Sequence, residues 1–230
     1  MSQAVQVLDH GFVRLVDWMG DDLSIARAAR VSYDADWRAG LDKGSDERLI
    51  RYLWHNRHTT PFEAVTFTFE IKAPIFVVRQ WHRHRTWSYN ELSGRYKELP
   101  EDFYVPAPEM IGTQSASSKQ GRDITTLSPE QPNDRRGQID GYRPAIEAAF
   151  DEYRWMLENG WPRELARCVL PLATYTHMFA TTNLLNLFKF LTLRSGDHAQ
   201  YEIACYARAM LELIHPIVPV AVAAWEESSH

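Results

Sequence analysis

The stretch AVTFTFEIKA at residues 64–73 decides the fold, because polar and apolar side chains alternate along it. A two-residue period predicts a β-strand with one buried face. Pro74 follows directly, and IFVVRQWHRHR at 75–85 then predicts a short helix with proline at its start. Further along, ATYTHMFATTN at 173–183 predicts a strand, and LLNLFKFLTLR at 184–194 predicts a helix.

Helical patterns dominate the rest of the chain. The segment at 5–19 predicts a strand or two, whereas helices are predicted after Asp21-Asp22, from Ser45 onward, at 139–160 and at 198–214. Helices with few strands between them favour a single α+β domain over residues 1–230, in which helices cover an antiparallel sheet.

The segment TQSASSKQGRDITTLSPEQPNDRRG at 113–137 contains few apolar residues. Such a composition buries too little surface to fix one conformation. We therefore expect a flexible polar loop at about 113–137.

Composition excludes several classes of function. The 230 residues carry a formal net charge of −5, whereas a general nucleic-acid-binding protein needs a net positive field. The two cysteines form no C-x-x-C pair, the first residues show no secretion signal, and charged residues interrupt the most apolar stretch, 165–193. We expect a cytoplasmic protein that has neither nucleic acid nor a membrane as partner.

The most unusual stretch is RHRTWSYNELSGRY at 83–96, where basic residues crowd beside hydroxyl, amide and carboxylate groups. If residues 89–95 are extended, Glu91, Ser93 and Arg95 point to one side. The guanidinium and the hydroxyl suit a phosphate, and the carboxylate suits a sugar hydroxyl. The pattern favours a nucleotide site, although the common phosphate-loop and dinucleotide motifs are absent from the sequence.

Two other interpretations of this stretch stay open. A basic run can be a solvated charged turn. A metal site is less favoured, because arginines on both sides of His84 repel a cation; its ligands would come from His55, His58, His82 and His84.

Further candidates lie in the second half of the chain. Asn183 and Arg194 are eleven residues apart, which returns to almost the same helical face. Arg194 and His198 are four residues apart, although Gly196 interrupts the helical pattern between them. Arg167 lies in the stretch ARCVLP. The alternative is an ordinary helix-end arginine and a histidine packed against the core. In the preceding helix, Gln80 and Arg83 share a face.

Residues 83–95 match R-H-R-x-x-S-x-N-E-x-S-x-R, a pattern that resembles the signature of the flavin-dependent thymidylate synthases. Three further blocks are similar to that family: HTTPFE at 58–63, ARCVLP at 166–171, and the stretch at 193–203 that matches L-R-x-x-x-H-A-Q-x-E-I. Together the blocks extend the resemblance over most of the chain.

The resemblance implies the thymidylate synthase-complementing fold, assembled as a homotetramer with active sites between subunits. It implies that the cofactor FAD contacts His58, Thr60, Arg83, His84, Arg85, Glu91, Asn183 and His198. It implies that dUMP contacts Gln80, Arg83, Glu91, Ser93, Gly94, Arg95, Arg167 and Arg194. Arg194 is the implied catalytic residue, placed at the uracil carbonyls, and no metal is implied.

The implied reaction is the reductive methylation of dUMP to dTMP, with 5,10-methylenetetrahydrofolate as co-substrate and NADPH as the reductant of the flavin. Two residues depart from the family pattern near the flavin's adenylate side, namely Leu185 and Lys189. The alternatives from other classes are a flavoprotein oxidoreductase acting on another nucleotide, a phosphate- or RNA-binding module, and a histidine-based metallohydrolase.

Overall fold

A five-stranded antiparallel sheet forms the centre of the protein. The computed structural model describes residues 4–124, 132–196 and 198–228, with the backbone alone at 132–138. The strands of the sheet are β1 Val5–Val7, β2 Gly11–Met19, β3 Thr66–Pro74, β4 Ser88–Glu91 and β7 Tyr175–Asn183. They stand in the order β1-β2-β3-β7-β4. A separate hairpin pairs β5 Thr113–Gln114 with β6 Arg122–Asp123.

Eight helices occur in the described part of the chain. Their bounds are α1 Asp22–Arg30, α2 Lys43–His55, α3 Ile75–Trp81, α4 Pro132–Glu158, α5 Arg163–Ala166, α6 Leu184–Arg194, α7 Tyr201–Ile214 and α8 Pro219–Glu227. Short 3-10 helices at Thr60–Ala64 and Arg167–Val169 matter for the site. None of these helices is both long enough and apolar enough to cross a membrane.

The sheet buries one face against the helices. Phe67, Phe69 and Ile71 of β3 are completely buried, as the two-residue period of that strand predicted. They belong to one large hydrophobic cluster with residues from six helices, represented by Ile25, Ile50, Val77, Leu187, Ile203 and Ala221. The α+β class with helices covering an antiparallel sheet is therefore confirmed.

A second, smaller hydrophobic cluster surrounds α4. Ile146 and Phe150 pack there against Phe103, Ala166 and Ala173. A β-bridge between Phe103 and Thr174, the residue before β7, connects this cluster to the sheet. The fold thus has two apolar centres of unequal size.

Strands β3 and β7 set the positions of two helices. They pair over nine residues, from Thr66 opposite Asn183 to Pro74 opposite Tyr175. A helix follows each strand without a connecting loop, and so α3 and α6 start at opposite ends of the pair. The two helices approach each other over the sheet, and the rings of Trp81 and Phe190 stack with centroids 4.9 Å apart.

The polar run is shorter and more ordered than the sequence predicted. Residues 113–123 contain the β5–β6 hairpin, and α4 already begins at Pro132. The expectation of one loop over 113–137 is wrong for these parts, because the backbone forms regular hydrogen bonds there. Residues 125–131 lie outside the described residues.

The expected extended stretch at 89–95 ends early. Strand β4 stops at Glu91, and the amide of Leu92 donates to the carbonyl of His177. A turn follows, in which the amides of Tyr96 and Lys97 both donate to the carbonyl of Ser93. The expected single edge of alternating side chains therefore does not form.

Gly11 in β2 offers a test of this packing. A Cβ atom there would overlap the Tyr206 hydroxyl and lie 2.7 Å from the Val7 carbonyl oxygen. We expect Gly11→Ala to lower the free energy of unfolding by roughly 1–3 kcal/mol, as overpacking typically does. Chemical denaturation monitored by circular dichroism measures this change.

The matched control is Gly141→Ala in α4, where a Cβ meets nothing within 4 Å. It should stabilise the protein by up to about 1 kcal/mol, because alanine favours a helix over glycine. Equal effects of the two substitutions would contradict the described packing around Gly11.

Candidate active site

Arg194 is the centre of the first group of candidate residues. It is the last residue of α6, and its guanidinium reaches the C-terminal end of α3. There Nη2 lies 3.4 Å from the Gln80 carbonyl oxygen, Nη1 lies 3.5 Å from Gln80 Oε1, and Nε lies 3.1 Å from His84 Nε2. A cation at a helix C-terminus interacts favourably with the helix dipole. The fold thus fixes one arginine by three acceptors.

His84 is held neutral by its surroundings. Burial, and secondly the charge of Arg194, lower the pKa of His84 to about 4. Its Nε2 therefore accepts the hydrogen bond from Arg194, and the proton of the neutral ring is on Nδ1. Burial and the neighbouring Arg83 also lower the pKa of Arg194. The group combines a partly desolvated cation with an uncharged acceptor.

The second group surrounds the turn after β4. Gly94 is buried, and a Cβ at this position would lie 3.1 Å from Cδ of Arg167. The turn also brings the Ser93 hydroxyl within 3.3 Å of the Arg95 amide. Nε of Arg95 lies 3.2 Å from a carboxylate oxygen of Glu164. Ser93, Gly94, Arg95 and Arg167 are therefore brought together, by a turn instead of the expected strand edge.

Several candidate cations have no counter-ion. Arg83, Arg85 and Arg167 are exposed, and none of them forms an ion pair with another residue in the described ranges. Glu91 accepts a hydrogen bond of 2.7 Å from the hydroxyl of Thr176 and faces His82 at 3.8 Å. Exposed arginines without a counter-ion can bind an anion such as phosphate, and Arg167 lies beside the glycine-containing turn.

Four further predicted residues have other partners or surroundings in the described part of the chain. The exposed His58 contacts the ring of Tyr52, and Thr60 is exposed on its 3-10 helix. Asn183 caps the N-terminus of α6 through Oδ1, 2.9 Å from the Asn186 amide. His198 lines a cavity of about 820 Å³ between the β5–β6 hairpin and the segment before α7. None of the four hydrogen-bonds to the Arg194 group within the described residues.

The structure changes the interpretation of three spacing arguments. Asn183 and Arg194 share a helix, but they stand at its opposite ends, three turns or roughly 16 Å apart. Helix α6 ends at Arg194, so Arg194 and His198 do not form the expected pair one turn apart. Arg83 likewise lies beyond the end of α3, although its amide still donates to the Gln80 carbonyl.

Two partners of the site were not singled out from the sequence. The side-chain oxygen of Gln200 accepts a short hydrogen bond from the side-chain NH2 group of Gln80, and Glu164 forms an ion pair with Arg95. Both contacts join distant parts of the chain, and no spacing rule reveals them. The motif at 193–203 is the one signal that could have drawn attention to Gln200.

The chemistry of the site points to an enzyme that acts on a phosphorylated substrate. Exposed arginines beside the Ser93 turn suit a phosphate, and a desolvated guanidinium next to a neutral imidazole suits developing negative charge. Across the described ranges, no group of three or more His, Cys, Asp or Glu side chains could hold a metal ion.

Comparisons with known proteins give the family. Residues 14–220 match the family model described as Thymidylate synthase complementing protein. A flavin-dependent thymidylate synthase of Thermus thermophilus is 48% identical over 97% of this chain and 78% of its own length. One from Thermotoga neapolitana is 43% identical over 94% of this chain and 90% of its own length. The chain belongs to the flavin-dependent thymidylate synthases, which confirms the family resemblance, the enzyme class and the expected function.

A solved structure supports the same conclusion. The UMP/dUMP methylase PolB of Streptomyces cacaoi, bound with 5-Br dUMP, superimposes with a TM-score of 0.85 at 38% identity and covers 97% of both chains. A second structure of that protein, bound with 5-Br UMP, gives a TM-score of 0.81 at 35% identity. The predicted thymidylate synthase-complementing fold is confirmed.

The state of His84 can be measured directly. We expect its imidazole to titrate near pH 4 instead of the usual value near 6.5, because burial and Arg194 disfavour the charged ring. A pH titration by NMR of histidine-labelled protein measures this pKa, and the His84→Gln variant assigns the signal. Arg194→Ala should raise the pKa, since one of the two causes is removed.

The same shift fixes a pH dependence of stability. Between the two pKa values the unfolded chain binds a proton at this position and the folded chain does not. The contribution of His84 to stability is therefore fully present above about pH 6.5 and is lost as the pH falls toward 4. A His84 signal that titrates near 6.5 would contradict the described environment.

Proposed function

We propose that this enzyme converts dUMP to dTMP, with 5,10-methylenetetrahydrofolate as the one-carbon donor, FAD as the cofactor and NADPH as the reductant. The observation that carries the proposal is the group formed by Arg194, Gln80 and His84, in which three acceptors fix one guanidinium. The same chain contains the turn at 93–97, which carries Arg95 and lies against Arg167. One group suits a pyrimidine ring and the other suits a monophosphate.

The phosphate of dUMP is assigned to the turn after β4. Ser93 offers a hydroxyl, the buried Gly94 lets the side chain of Arg167 pack closely against the turn, and Arg95 and Arg167 supply charge. A phosphate monoester carries nearly two negative charges near neutral pH. It would compete with Glu164 for Arg95 and meet Arg167 without any competitor in the described residues. Gln80, Arg83 and Glu91 are proposed to contact the same nucleotide.

Arg194 is proposed as the catalytic residue at the uracil carbonyls. Its partial burial strengthens an interaction with negative charge that develops on the ring as C5 attacks the methylene carbon. The neutral His84 accepts from Nε and leaves the charge of the guanidinium uncompensated. Because the guanidinium is already held in place, little reorganisation energy is needed when the charge develops.

The unpaired arginines also fit a flavin dinucleotide. Arg83 and Arg85 have no counter-ion among the described residues and can meet its diphosphate. FAD, when bound, supplies the hydride that turns a methylene group into a methyl group. The proposed contacts are His58, Thr60, Arg83, His84, Arg85, Glu91, Asn183 and His198.

The structure shows the surroundings of Leu185 and Lys189, the two residues that depart from the family pattern. Leu185 is buried in the core and offers no polar atom to a cofactor. Lys189 is exposed, and its Nζ lies 3.4 Å from Oδ1 of Asn186. Asn186 is also the residue whose backbone amide bonds to the capping side chain of Asn183. We propose that Lys189 supplies positive charge toward the adenylate side of the cofactor.

We propose a homotetramer whose active sites are completed by neighbouring subunits. The support is that Asn183 and Arg194 stand at opposite ends of α6 and that neither His58 nor Thr60 hydrogen-bonds to the Arg194 group within the described residues, so a neighbouring subunit can supply ligands to each site. We also propose that residues 1–230 form one domain and that the enzyme works in the cytoplasm, where the free cysteines Cys168 and Cys205 stay reduced.

The function is tested by dTMP formation from dUMP in the presence of 5,10-methylenetetrahydrofolate, FAD and NADPH. We expect the wild-type protein to bind FAD and to form dTMP, whereas Arg194→Ala should keep the cofactor and lose roughly a hundredfold or more in turnover. Loss of a contact made mainly to developing charge lowers the rate of the chemical step.

The matched control for Arg194 is Arg79→Ala, which removes an exposed guanidinium from helix α3. This variant should turn over like the wild type. Absence of dTMP from the wild-type protein, or equal turnover of Arg194→Ala and Arg79→Ala, would refute the assignment.

Arg95 and Arg167 should discriminate between the two ligands. We expect Arg95→Ala and Arg167→Ala each to weaken dUMP binding by roughly 1.5–3 kcal/mol, the usual loss for a charge-assisted hydrogen bond, and to leave FAD affinity nearly unchanged. Calorimetric titration with each ligand measures both affinities.

Arg163→Ala is the control for this pair, since Arg163 lies in the same segment but pairs with Glu98 at 3.6 Å. It should bind dUMP normally. If the arginine variants lost affinity for FAD and dUMP to the same extent, the turn would not be the phosphate site.

A further inference from the structure

Glu202 is a buried carboxylate that the proposed reaction does not yet use. It stands in the first turn of α7, and only 1% of it is exposed. Three groups donate to it: Nη2 of Arg122 at 2.8 Å and the Tyr104 hydroxyl at 3.2 Å bind Oε1, and Nε2 of Gln200 at 2.9 Å binds Oε2. A buried charge with a paired cation and two more donors is fully satisfied.

The contact with Gln200 continues toward Arg194. The side chain of Gln200 accepts from Nε2 of Gln80, and Oε1 of Gln80 in turn faces Nη1 of Arg194. Four side chains from α7, the segment before it, α3 and α6 therefore form one chain of hydrogen bonds. One end is the buried carboxylate, and the other end is the proposed catalytic guanidinium.

The direction of this chain is fixed by chemistry. An ionised carboxylate only accepts hydrogen bonds, so Gln200 must turn its NH2 group toward Glu202 and its oxygen toward Gln80. Gln80 must then present its NH2 group to Gln200 and its oxygen to Arg194. A reversed amide at Gln80 would place two donors against each other at Arg194, which only donates.

We propose that Glu202 is a positioning residue for catalysis, which acts through Gln200 and Gln80 to hold Arg194 in its working orientation. The inference rests on the proposed function of Arg194. It also gives the β5–β6 hairpin a part in the site, because Arg122 of β6 supplies the cation that pairs with Glu202. The polar segment contributes a charge to the buried end of the chain of hydrogen bonds.

Two substitutions interrupt the chain at different points. Glu202→Gln keeps the size of the side chain but adds an NH2 group, so the amides of Gln200 and Gln80 lose their fixed direction. Gln200→Ala removes the middle of the chain at an exposed residue and leaves the pair of Glu202 with Arg122 intact. A small displacement of a catalytic group costs roughly ten- to a hundredfold in rate, and we expect each variant to lose turnover in this range.

A double variant separates positioning from general structural damage. If both residues act through the same chain, Glu202→Gln combined with Gln200→Ala should lose no more turnover than the stronger single variant, whereas independent effects would multiply. Melting temperature is measured in parallel. Gln200→Ala should melt like the wild type, so its loss of turnover cannot come from unfolding.

Tyr104→Phe is the matched control, because it removes one donor to Oε1 of Glu202 and leaves the oxygen that binds Gln200 untouched. It should keep wild-type turnover. Normal turnover of Gln200→Ala, or multiplied losses in the double variant, would overturn the inference even if Glu202→Gln failed to fold. Absence of dTMP from the wild-type protein would instead refute the proposed function, and the two failures are therefore distinguishable.

Discussion

The nine-residue pairing of β3 with β7 is the constraint on which the rest of the structure depends. Because the strands are antiparallel and a helix follows each one directly, α3 and α6 start at opposite ends of the pair and finish near its middle. Their C-terminal ends meet above the core, where Arg194 bonds to Gln80. A shift of this register by one residue would turn Phe67 and Phe69 out of the core, and the helix ends would no longer meet.

Electrostatics explains how an acidic protein can bind anions. The net charge of −5 is no obstacle, because the arginines that matter are concentrated in a few places and several of them lack a counter-ion in the described residues. Burial adjusts the chemistry further, since it holds His84 neutral and lowers the pKa of Arg194. A local concentration of positive charge can attract an anion even when the net charge of the protein is negative.

Much of the fold and some of the site followed from the sequence. The period of two in β3 and the helical spacing in α6 are local signals that the tertiary structure preserves. Helix α8 gave no comparable signal, because Ala221, Val222, Ala224 and Trp225 are all buried and the helix lacks a polar face at regular intervals. The turn at 93–97 was missed since its hydrogen bonds begin where β4 leaves β7, which the pattern of residues 89–95 does not show. The contacts of Gln200 and Glu164 depend on chain segments far apart in sequence, so local patterns could not reveal them.

The division of the core into two clusters has a consequence for how the molecule opens. The smaller cluster around α4 contains Phe103, Phe150 and Ala166, and Arg167 follows it directly. Less apolar surface is buried there than in the large cluster, so we expect its amide hydrogens to exchange through a partial opening that costs less than global unfolding. A nucleotide phosphate held by Arg167 and Arg95 would bind only while this smaller cluster is closed. Bound substrate would therefore slow amide hydrogen exchange in α4, whereas the exchange rate of the β3–β7 pair would stay the same.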